Sequence, residues 1–116
     1  MSKPIPVNCG AMHDLGAIAA QIRAESTYLS GGHGAHTVLR ENDLRVVVVA
    51  MKAGAVLPEH QARATGLLHV VTGRIRLGFA ERSVELSSGQ LVAIEGAARH
   101  SVEALEESSF VLTLGA

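Results

Sequence analysis

Aromatic side chains are scarce in this 116-residue chain: they make up 3% of it, one Tyr and two Phe. Few rings are therefore available for stacking on bases, and no basic stripe accompanies them in a chain of net charge −1. Together these exclude nucleic acid as a partner. Cysteine is nearly absent as well. Cys9 stands alone, which rules out an internal disulfide and fits a reducing compartment. No apolar run approaches the roughly 20 residues a membrane helix needs, so no membrane partner is expected. The opening MSKPIPVN lacks the apolar core of a secretion signal, and a cytoplasmic protein is expected. No G-x-S-x-G elbow and no glycine-rich phosphate loop occur, which removes two common routes to hydrolase or nucleotide chemistry.

What the chain has in quantity is aliphatic residues. It is 47% apolar with a mean hydropathy of +0.26. This length supports one core, and the surplus apolar surface points to a subunit interface, hence to a homodimer. Residues 1–36 read as an N-terminal arm and short helix packing on a β domain at 37–116. In the first part Asp14 can cap a helix that fades near Glu25 to Ser26, with Leu15, Ile18, Ala19 and Ile22 on one apolar face. Ser30, Gly31, Gly32 and Gly34 then read as a flexible turn, with His33 and His36 in a glycine-rich loop.

From Thr37 onward, short β-branched runs alternate with turn signals, the pattern of an all-β sandwich or barrel. Strands are expected near 36–41, 44–51, 55–58, 65–72, 74–79, 82–86, 91–94, 100–105 and 109–114. The run Val46-Val47-Val48-Val49 shows no alternation, so both of its faces must be covered. One can line a barrel. The other needs either the N-terminal helix or a second subunit.

Two segments carry the chemistry. The first is GAVLPEHQARATGLLHVVTG, from Gly54 to Gly73; the second runs from Gly89 to Ala104. Both resemble the paired motifs of the cupin family. Gly54, His60 and Gly73 stand where the first motif has its glycines and first histidine. Ala62 replaces its second histidine and Gly66 its glutamate. In the second motif Gly89 and His100 match, Glu95 stands for the proline, Ala97 for the glycine and Ala104 for the asparagine. The resemblance implies a cupin-type double-stranded β-helix, a jelly-roll-like barrel with a short N-terminal helix, often dimeric.

Alternation along the strands points His60, Ala62, Gly66, Leu68 and His100 inward as a ligand pocket, with Gln61 and His69 outward. Family members hold a divalent metal with four such side chains, of which this chain keeps His60 and His100. Two readings follow. In one, no cofactor is bound and a roomier, more apolar barrel takes a small molecule, oriented by two imidazoles. In the other, His60 and His100 ligate a divalent metal with a third donor from His33, His36, Glu59 or Glu95, as in a metal-dependent dioxygenase or isomerase. No catalytic residue is assigned, and neighbouring aliphatic side chains filling the gap remains an alternative to an open pocket.

Overall fold

The computed structural model describes residues 9–61 and 63–115. They form two helices, α1 (Leu15–Arg23) and α2 (Ser26–Gly31), and nine strands. The strands are β1 (His33–Arg40), β2 (Leu44–Met51), β3 (Val56–Gln61), β4 (Gly66–Thr72), β5 (Arg74–Gly78), β6 (Ser83–Ser87), β7 (Leu91–Ile94), β8 (Arg99–Ala104) and β9 (Ser108–Gly115). A five-stranded sheet in the order β1-β2-β9-β4-β7 faces a four-stranded sheet in the order β3-β8-β5-β6. Every pairing is antiparallel, so the expected all-β jelly roll is the observed architecture.

Alternate residues of the facing strands meet between the sheets. Val47, Val49, Met51, Leu68, Val70, Ile75, Leu77 and Phe110 form the core there, the arrangement expected when period-two patterning buries one face of each sheet. The valine run owes its second apolar face to the helices. Val48 and Ala50 point outward and are buried beneath Ile22 and Tyr28. Of the two covers considered for this run, the helical segment supplies it.

α1 begins as its sequence predicts. Asp14 is the N-cap, and its Oδ1 accepts the Ala17 N–H at 3.0 Å. The next segment departs from expectation. Where a flexible turn is read from the glycines, α2 occupies Ser26–Gly31 and ends on Gly32 in the left-handed conformation (φ 85°). Burial of Tyr28 explains how so short a segment, rich in weak helix formers, holds together: docking overrides propensity. His33 and His36 consequently lie on β1 rather than in a loop. His36 Nε2 bonds the Glu25 carboxylate at 2.9 and 3.1 Å, tying the start of α2 to the sheet. At Gly34 the helix comes close enough that an added Cβ would stand 2.6 Å from Ile22 Cγ2.

The outer face of the second sheet is polar. Arg76 on β5 reaches Glu103 on β8 and Glu85 on β6 at 2.9 and 3.0 Å, and the hydrogen bond to Glu85 leads in raising its pKa. Among the described residues no helix is long and apolar enough to cross a membrane.

Candidate functional site

β3 and β8 lie side by side, and after an irregularity between Leu57 and His60 their register sets His60 directly opposite His100. Directly paired residues share a face of the sheet, so both rings project to the barrel interior. The ring centroids are 4.2 Å apart with planes at 62°. His100 is 5% exposed, whereas His60 sits at the open rim.

Each ring is oriented by its own backbone. His60 Nδ1 lies 2.9 Å from the Pro58 carbonyl and His100 Nδ1 lies 3.0 Å from that of Ala98. A carbonyl oxygen only accepts, so both Nδ1 atoms carry the proton. In the neutral form of either ring, that tautomer presents Nε2 as a lone pair. The imidazoles border a cavity of about 220 Å³ together with Arg45, Gly66, Ile94 and Leu114; Ala64 and Leu112 complete its wall.

The barrel superposes on solved structures over nearly its whole length. A conserved protein of unknown function from Streptococcus pyogenes matches with a TM-score of 0.74 at 16% identity, covering 99% of this chain and 95% of that one. A cupin superfamily protein from Desulfitobacterium hafniense matches with a TM-score of 0.73 at 10% identity, over 99% of this chain and 92% of its own. The fold is that of the cupins. KdgF from a Halomonas species is similar at 25% identity, with a TM-score of 0.68 over 75% of this chain and 82% of that one. No family model and no curated protein matches the sequence.

Against the cupin pattern, the expected pocket residues separate into three groups. His60, Gly66 and His100 line the cavity. Leu68 does not: it is fully buried in the core below, packed with the barrel aliphatics, because two residues along β4 carry it past the mouth. Ala62 lies outside the described residues. His69 is exposed, on the face opposite Leu68 and Val70.

The candidates for a third metal donor are engaged or placed elsewhere. Glu59 accepts from Arg99 Nε at 2.6 Å. His36 is held by Glu25. His33 pairs opposite Met51 at the start of β1. Glu95 borders a separate hollow with Phe79 and Arg82. Among the described residues no cluster of three or more His, Cys, Asp or Glu side chains occurs. Two nitrogen donors fall short of the three protein ligands a catalytic metal centre uses, and the Arg45 guanidinium on the same wall opposes a cation. Among the described residues, the donors at this cavity do not fit the family's divalent ion. Where the cupin glutamate would project, Leu114 of β9 closes the space instead: a Cβ on Gly66 would stand 2.7 Å from Leu114 Cδ2.

Arg45 is the wall residue that sequence reasoning passes over. The signal was available, since alternation back from Val49 and Val47 brings position 45 to the interior face. A second departure from the pattern concerns Ala97, which stands for a cupin glycine and adopts φ 73°. Its carbonyl accepts from Gln61 Nε2 at 2.6 Å, clasping β3 to the loop that leads to His100. A left-handed alanine is strained by about 1–2 kcal/mol, partly offset by the greater unfolded-state entropy of glycine. Ala97→Gly is therefore expected to stabilise the protein, by about 0.5 kcal/mol in urea denaturation.

Proposed function

We propose that this cupin is a small-molecule binding module that works without a metal, taking an organic ligand in the barrel mouth between His60 and His100. The observation that carries this reading is the composition of the cavity wall. Two oriented imidazoles face Ile94, Leu112 and Leu114 across about 220 Å³, an apolar hollow with a few convergent polar groups, as ligand sites commonly are. With Nδ1 tied to backbone on both rings, the Nε2 lone pairs are suited to accept hydrogen bonds from a ligand hydroxyl or amide. The sequence carries no donor at positions 62 and 66, and beside Gly66 the cavity wall is the apolar side chain of Leu114.

Elemental analysis of protein purified without a metal-affinity tag and without chelator tests this. The expected outcome is transition metal well below one equivalent. Near-stoichiometric iron, nickel or zinc that is lost in a His60→Ala, His100→Ala double variant would replace the reading with the metal-dependent enzyme of the dioxygenase or isomerase type.

A further inference from the structure

The β1–β2 hairpin sets two arginines side by side, Arg45 on the wall of this cavity and Arg40 in a groove next to it. Thr37 pairs with Val47, yet Leu39 pairs with Val46 and Arg40 with Arg45. The extra residue in β1, a β-bulge at Val38, shifts the ladder by one. Without it Arg40 would oppose Leu44; with it Arg40 stands across from Arg45, on the face that Val47, Val49 and Met51 carry into the barrel. Bulges re-aim side chains in this way and collect beside functional sites.

Like charges directly opposite one another on paired strands are destabilising, and neither arginine takes part in the ion pairs of the described residues. Arg45 lines the His60–His100 cavity and also, with Arg40, a neighbouring groove of about 230 Å³. Leu114, like Arg45, borders both hollows, which sets them side by side. Glu41 borders the groove too, so its wall carries two positive groups and one negative.

We infer that the ligand of this site is an elongated amphipathic anion: a terminal oxyanion held between the Arg40 and Arg45 guanidiniums, an apolar body along Leu112, Leu114 and Ile94, and a hydrogen-bond donor at the far end reaching the imidazole Nε2 atoms. The inference rests on the ligand-binding reading above and adds the charge and polarity order of the ligand. A guanidinium fork matches an oxyanion in geometry as well as charge. The fixed Nδ1–H tautomers make the opposite end of the site an acceptor.

Titration calorimetry with 6-hydroxyhexanoate and 1,6-hexanediol, followed in parallel by the imidazole NMR signals of His60 and His100, tests both statements separately. The carboxylate is expected to bind about tenfold more tightly than the diol, the value of one charge-assisted contact at an exposed site, and this preference should shrink with added salt. Arg40→Gln and Arg45→Gln, both at exposed positions, should each reduce it toward unity while the imidazole signals still shift. Equal affinity for the two probes, or a preference retained in both variants, overturns the anion inference and leaves the binding module standing. If neither probe binds or moves the imidazole signals, the binding reading falls and the anion inference with it.

Discussion

Replacing Gly73 with alanine will destabilise the barrel by about 3 kcal/mol, combining a left-handed backbone penalty with overpacking. Gly73 turns the chain between β4 and β5 at φ 83°, a region L side chains adopt at a cost. A Cβ there would also collide with the Glu107 carbonyl oxygen and the Ser108 hydroxyl, with Ser108 Cα at 2.8 Å. Ser108 has little room to yield. It is fully buried, and its Oγ accepts the Arg74 N–H at 3.0 Å while lying 2.8 Å from the Glu106 carbonyl. Gly89→Ala isolates the conformational part. That glycine has φ 84° with nothing within 4 Å of an added Cβ, so about 1 kcal/mol is expected. Urea denaturation of the two variants separates the terms. Equal losses would show that the β4–β5 turn relaxes around the new methyl group, and that the close approach at Gly73 carries no energy of its own.

These glycines are also why so much of the fold was legible. Left-handed φ at Gly54, Gly73 and Gly89 falls where the sequence predicts turns, and the β-branched runs between them leave little choice of strand. β2 and β7 occupy the predicted residues, and the other strands differ by a few positions at their ends. Local chemistry fixes such elements. α2 was not legible because Ser26–Gly31 is mostly weak helix formers; it depends on the burial of Tyr28 against β2 and on the Glu25–His36 contact, both distant in sequence. The bulge at Val38 was hidden for the same reason. A register shift is decided between strands, so the placing of Arg40 opposite Arg45 cannot be read from its own neighbourhood. For the site, alternation was enough to bring His60 and His100 to one face. It could not reveal that Leu114, across the ladder from Gly66, leans into the space a glutamate would use.

That substitution of carbon for oxygen can be reversed. In a Gly66→Glu, Leu114→Ala double variant, the shortened side chain removes the atom 2.7 Å from the new Cβ, leaving the Thr113 carbonyl at 3.3 Å as the next contact. The glutamate would then project toward the same cavity as His60 and His100. Three donors, two nitrogen and one oxygen, match the ligand count of catalytic zinc centres, and zinc affinity is expected to rise about a hundredfold over the parent, comparable to the larger losses seen when a metal site is perturbed. Competition with a metallochromic dye measures it, and circular dichroism confirms that the barrel persists. Leu114→Ala alone should leave zinc affinity unchanged, because a larger cavity adds no electron pair. His60→Ala in the double-variant background should abolish the gain, which places the ion between the imidazoles. If the parent already binds zinc as tightly as the double variant, two oriented imidazoles suffice to ligate it, and the metal-free reading of this barrel is wrong at its root.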